Sequence, residues 1–95
     1  MSPQINKVSG IATTIRTENG TTFIQYHYTN VVAFNAKTIA LNTGGWETAT
    51  TKNRMNQASN QFELGYRVFA KKSRWFVEFK GQTLEFSGNE IILNR

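Results

Sequence analysis

Two different spacings of apolar residues divide this chain. In residues 11–17, Ile11, Thr13, Ile15 and Thr17 alternate with Ala12, Thr14 and Arg16, the period of two that a strand requires. Asn19-Gly20 then supplies the two positive-φ positions of a tight hairpin turn. Residues 21–28 read as the returning strand, with Phe23, Gln25 and His27 on one face and Ile24, Tyr26 and Tyr28 on the other. Thr29-Asn30 breaks that run. Residues 31–34 and 38–41 are short β-branched or apolar segments around Asn35-Ala36-Lys37, so a meander of four strands precedes Gly44-Gly45.

After the glycines the period lengthens. Thr51, Met55, Ala58 and Phe62 fall at i, i+4, i+7 and i+11, one apolar stripe on a helix over about residues 48–64. Gly65 fits the left-handed position that closes a helix. Residues 66–70, 74–79, 82–86 and 90–93 read as four more strands, separated by Lys71-Lys72-Ser73, Lys80-Gly81 and Ser87-Gly88-Asn89, each a hairpin-sized gap. The pattern predicts an α+β fold: antiparallel β-meander sheets with one central helix packed on one face through its Met55/Phe62 stripe. Residues 1–9, polar and holding the only proline at Pro3, read as a flexible arm before a single domain of residues 10–95.

Ninety-five residues are enough for one modest core. The absence of cysteine removes disulfides and thiolate metal sites. All six acids are glutamate, whereas divalent-cation loops and magnesium-dependent phosphoryl transfer lean on aspartate, so no metal or other cofactor is expected. No apolar run approaches the ~20 residues of a spanning helix, and the first residues lack a secretory apolar region, so no membrane partner is expected.

Charge is unevenly spread. The net charge is +5, and residues 52–80 alone carry it: Lys52, Arg54, Arg67, Lys71, Lys72, Arg74 and Lys80 against Glu63 and Glu78. A basic footprint on the helix and the following hairpin points to an acidic partner, nucleic acid or nucleotide first. The same charges would also serve as an ordinary solubilising surface.

The segment from Gly44 to Gln57 carries the candidate chemistry. The first turn of a helix leaves backbone N–H groups without intrahelical partners, and its dipole adds about half a positive charge, a geometry suited to phosphate. Thr50 and Thr51 are hydroxyl donors at this end, Lys52 and Arg54 are fixed cations, and Trp46 is a candidate stacking plate. Helix capping alone would also select threonine there. The amides Asn53, Asn56 and Asn60 are unusual on a solvated helix face, because asparagine is a weak helix former. They suit either the edge of a base or a neighbouring strand edge. Arg67, Lys71, Lys72 and Arg74 extend the basic surface beside Trp75 and Phe76, a mixture of cations and rings found where single strands bind; the rings also serve as core. His27 is the only histidine and has no orienting aspartate or identifiable nucleophile, so no catalytic residue is assigned and a non-enzymatic protein is expected.

At Thr43-Gly44-Gly45-Trp46, Thr48-Ala49-Thr50-Thr51-Lys52, Arg54-Met55-Asn56-Gln57, Asn60-Gln61-Phe62, Leu64-Gly65-Tyr66-Arg67-Val68-Phe69 and Trp75-Phe76-Val77-Glu78, the chain resembles a family of small proteins encoded by tailed bacteriophages. The resemblance spans about residues 22–86. It implies an accessory product acting in the cytoplasm of the infected bacterial host. Such a product would bind nucleic acid or sequester a nucleotide signal of host defence; alternatively, it would inhibit an acidic host protein directly. On the binding reading, Thr50, Thr51, Lys52 and Arg54 hold phosphate oxygens, Trp46 stacks, and Asn53, Asn56 and Asn60 read a base edge. An open strand edge in so short a chain also allows a homodimer.

Overall fold

Two-residue turns in the left-handed region reverse the chain at Asn19-Gly20 (φ 51° and 81°), at Lys72-Ser73 (53° and 64°) and at Lys80-Gly81 (51° and 75°). Turns of this kind match the right-handed twist of the strands they join. The computed structural model describes residues 13–45, 47–86 and 90–95. Its elements are β1 (Thr13–Glu18), β2 (Thr21–Tyr26), β3 (Thr29–Phe34), β4 (Thr38–Asn42), α1 (Ala49–Phe62), β5 (Tyr66–Lys71), β6 (Arg74–Phe79), β7 (Gln82–Glu85) and β8 (Glu90–Asn94). The arm of residues 1–9, Ile11 and Ala12, the Trp46 ring and the Ser87-Gly88-Asn89 turn lie outside the described residues.

Every strand pair is antiparallel. A five-stranded sheet has the order β1-β2-β3-β4-β8, and a three-stranded sheet the order β5-β6-β7. The last strand therefore returns to the first sheet, so the second meander and the helix are held between β4 and β8. The inner faces of both sheets and the helix stripe build one core: Ile24, Val32, Ile39 and Leu41 from the larger sheet, Met55 and Ala58 from α1, and Val68, Trp75 and Val77 from the smaller one. Each large aliphatic side chain among these contributes about 1.5–3 kcal/mol by leaving water. The fold is the α+β arrangement that the hydrophobic periods predict.

Three local features differ from the sequence expectation. First, β2 ends at Tyr26, and Thr29 and Asn30 pair with it rather than breaking the run. His27, at φ 57°, makes the turn, and its carbonyl accepts a 2.6 Å hydrogen bond from Gln25 Nε2. Second, the register between β2 and β3 shifts at Ile24/Gln25, so that Ile24 faces Val32 and Gln25 faces Asn30. Val31 is the extra residue, and Val31 and Val32 are both buried, which strict alternation forbids.

Third, α1 closes at Glu63, not at Gly65. Glu63 takes the left-handed conformation (φ 54°), and its N–H and that of Leu64 both reach the Ser59 carbonyl. Gly65 (φ 80°) instead turns the chain into β5. The helix stripe also includes Ser59, buried against β5, while Phe62 is half-buried and packs its ring 5.0 Å from that of Phe34.

Candidate functional site

The loop before α1 is pinned by its own side chains. Asn42 Oδ1 accepts from the Gly44 N–H (2.8 Å) and Thr43 Oγ1 from the Gly45 N–H (3.2 Å). A Cβ on Gly44 would collide with the Thr29 side chain, and Gly44 sits at φ 63°, so glycine is required there on two counts. Thr48 caps the helix: its Oγ1 accepts from the Thr51 N–H at 3.2 Å, and its hydroxyl donates to Thr51 Oγ1 at 3.2 Å.

This capping occupies Thr51, which is fully buried. Arg54 is half-buried and turned back into the fold. Its Nε donates to Thr13 Oγ1 (2.9 Å), its Nη1 to Gln57 Oε1 (3.3 Å), and its guanidinium lies over the Tyr26 ring. Asn56 bonds the backbone of Val68 through both halves of its amide. Thr51, Arg54 and Asn56 thus hold the scaffold together, and of the residues expected at the helix start, Thr50 and Lys52 are half-buried while Asn53 and Asn60 are exposed. Trp46 cannot be placed against them, because it lies outside the described residues.

A cavity of about 440 Å³ does open beside this corner, between the β2–β3 turn and the helix start. Its walls are Tyr26, His27, Tyr28, Thr29, Val31, Thr43, Thr48 and Thr51. Lys52 and Arg54 are not part of that lining. Among the described residues, rings and hydroxyls rather than cations therefore line the space.

The cations of the second meander come together elsewhere. On the outer face of the three-stranded sheet, alternation places Arg67, Phe69 and Lys71 of β5 beside Glu78, Phe76 and Arg74 of β6, in the cross-strand pairs Arg67↔Glu78, Phe69↔Phe76 and Lys71↔Arg74. The Phe69 and Phe76 rings stack with centroids 5.4 Å apart and planes 19° from parallel. Both rings are half-buried, so part of each faces solvent. The Arg67 guanidinium lies 5.1 Å from the Phe69 centroid, and that of Arg74 lies 5.7 Å from Phe76.

Two carboxylates orient these arginines. Arg67 meets Glu78 at 2.9 Å, and Arg74 meets both oxygens of Glu85 at 2.9 and 2.6 Å, an arrangement that raises the pKa of Arg74 first through the hydrogen bond and then through charge. Arg74 and Glu85 form a two-oxygen fork, whereas Arg67 brings Nε and Nη2 to the one oxygen Oε1 of Glu78, and both arginines remain exposed. Lys71 and Lys72 at the hairpin tip are exposed and make no side-chain ion pair or hydrogen bond among the described residues. At the other end of the face, a depression of about 460 Å³ borders Arg67, Glu78, Lys80 and Thr83.

Sequence reasoning found the four cations but missed Phe69, whose place beside Phe76 depends on the β5–β6 register. The signal was present in outline: Arg67, Phe69 and Lys71 share one parity in a strand whose opposite parity, Tyr66 and Val68, is buried. Chemically, the face offers an aromatic platform, planar cations and two exposed ammonium groups. Among the described residues no group of three or more histidine, cysteine or acidic side chains could hold a metal ion, and no helix is long and apolar enough to cross a membrane.

A family model described as Kyanoviridae Gp96 protein matches residues 5–92, nearly the whole chain. No curated protein and no solved structure matches it.

Proposed function

The chain belongs to that Kyanoviridae Gp96 phage family, and from this starting point we propose that it is a non-enzymatic accessory protein that binds single-stranded nucleic acid in the cytoplasm of the infected bacterium. The observation that carries the reading is the stacked Phe69–Phe76 pair on a solvent-facing sheet, flanked by Arg67 and Arg74. Bases stack on aromatic rings for about 1–3 kcal/mol each, and cations alongside attract the phosphates. Glu78 and Glu85 repel phosphate from the middle of the platform, so the backbone runs past the Lys71-Lys72 tip while bases lie over the rings. The carboxylate oxygens left in water can accept from exocyclic amino groups.

The helix start plays a smaller part in this reading than its sequence suggests, since Thr51 and Asn56 already use their hydrogen-bonding groups within the fold. Fluorescence anisotropy with labelled single-stranded oligonucleotides tests the proposal. Binding is expected that weakens about tenfold or more in Phe69→Ala and in Phe76→Ala. No binding to any oligonucleotide, together with capture of one stoichiometric acidic protein from host lysate, would replace the proposal with direct inhibition of that protein.

A further inference from the structure

One row of side chains crosses the outer face of the five-stranded sheet through its middle strand: Arg16, Phe23, Ala33, Ala40 and Ile92, each the register partner of the next. Solvent-facing strand positions favour polar β-branched residues, yet the centre of this face is two alanines, and Ile92 is 60% exposed. A groove of about 430 Å³ runs over Phe23, Ala33 and Ala40, with Glu90 at its rim. At the near end of the row, the Arg16 guanidinium covers the Phe23 ring at 4.6 Å.

The inner part of this row is self-complementary in size. Reversing the row about Ala33 sets each Phe23 ring opposite the small Ala40 and Ala33 opposite Ala33 at the centre, while Arg16 falls opposite Ile92 at the margin. A two-fold axis lying along β3, between two copies placed face to face, performs that reversal. It lays β1 of one copy over β8 of the other. Arg16 of one copy then falls one strand repeat from Glu90 of the second, because Glu90 precedes Ile92 by two residues on β8. Within its own chain Arg16 meets Glu18 at 3.2 Å and donates to Gln25 Oε1 at 3.1 Å and Asn30 Oδ1 at 3.4 Å, so that pairing with Glu90 exchanges or adds to these contacts.

We propose that the outer face of the five-stranded sheet is a self-association surface, with Phe23 of each copy seated in the groove over Ala40 of the other and Arg16 paired across the interface with Glu90. Five strands at about 4.8 Å spacing and residues at about 3.4 Å rise give roughly 450 Å² per copy, about 900 Å² in all. This lies below the ~1,200 Å² of stable complexes, so the dimer is weak and reversible.

Sedimentation equilibrium of the full chain, from roughly 10 µM to 1 mM, tests it; the expected dissociation constant lies in about that range. Ala33→Arg and Ile92→Lys are each expected to weaken the dimer at least ~10-fold without changing the circular dichroism spectrum, because both positions face away from the core. Arg16→Glu and Glu90→Arg should each weaken association, and the double variant should restore it. A protein that stays monomeric at the highest concentration would overturn the proposal. So would a dimer indifferent to Ala33→Arg and Ile92→Lys, or single charge reversals that the double variant does not repair.

Discussion

The Asn56 carboxamide pairs with Val68 as a strand would: its Oδ1 accepts from the Val68 N–H at 2.7 Å, and its Nδ2 donates to the Val68 carbonyl at 2.9 Å. Two residues earlier on β5, Ser59 Oγ repeats the pattern, accepting from the Tyr66 N–H (3.0 Å) and donating to its carbonyl (2.7 Å). Together, these two helix side chains close the edge of the three-stranded sheet at β5. An edge occupied in this way does not template another strand, which steers association away from β5.

Asn56→Ala removes both partners from a half-buried N–H and carbonyl. A loss of about 1–3 kcal/mol is expected, read as a lower urea midpoint. Asn53→Ala, on the exposed side of the same helix, should stay within about 0.5 kcal/mol. Equal effects would show that the strand-edge pairing contributes nothing particular.

Met55 is fully buried where the helix meets both sheets. Met55→Ala should cost about 2–5 kcal/mol through the cavity it leaves, a large share of the stability of so small a domain. Phe62→Ala should cost less than Met55→Ala, since Phe62 is half-buried at the end of the stripe. Chemical denaturation of the two variants side by side measures the order.

Glu63 occupies the left-handed region without glycine's freedom (φ 54°). An ordinary residue is strained there by about 1–2 kcal/mol, part of which is returned when glycine loosens the unfolded chain. Glu63→Gly should therefore stabilise the protein by about 0.5–1 kcal/mol, seen as a melting temperature a few degrees higher. No such gain is expected at Gly65→Ala, which would place a side chain at φ 80°.

Tyr66 donates its hydroxyl to the Met55 carbonyl at 2.6 Å, and burial pushes its pKa well above the ordinary value of 10.0. The folded protein keeps this proton where the unfolded chain releases it. The contribution is thus intact below pH 10 and is lost as pH rises beyond it, by up to about 1.4 kcal/mol per unit. In denaturation measured across alkaline pH, Tyr66→Phe should be weaker than the parent by about 1 kcal/mol at neutral pH and should lack this part of the alkaline decline.

Lys71 and Lys72 are exposed at the hairpin tip, with no side-chain ion pair among the described residues, and would release counterions on meeting phosphates. The double change to alanine should flatten the plot of log affinity against log salt for a single-stranded oligonucleotide by about 1.4, or 0.7 for each contact. The melting temperature should barely move, because exposed charges contribute little to stability. An unchanged salt slope would place the phosphates elsewhere.

The order and class of the elements were determined by the chain on its own terms, because hydrophobic period, turn pairs such as Asn19-Gly20 and Lys80-Gly81, and the Met55 stripe act over a few neighbouring residues. The cluster of Arg67, Lys71, Lys72 and Arg74 was legible for the same reason. Long-range pairing decided the rest. Two aromatic residues, His27 and Tyr28, form a turn because Tyr26 must pair with Thr29, and Val31 is buried by a register shift that no local preference encodes. Asn56 offers identical groups to a base or to a strand, and only the arrival of β5 beside α1 assigns them to Val68. Phe69 meets Phe76 through the β5–β6 register, and the burial of Tyr66 and Val68 on the opposite face of β5 turns the pair toward water.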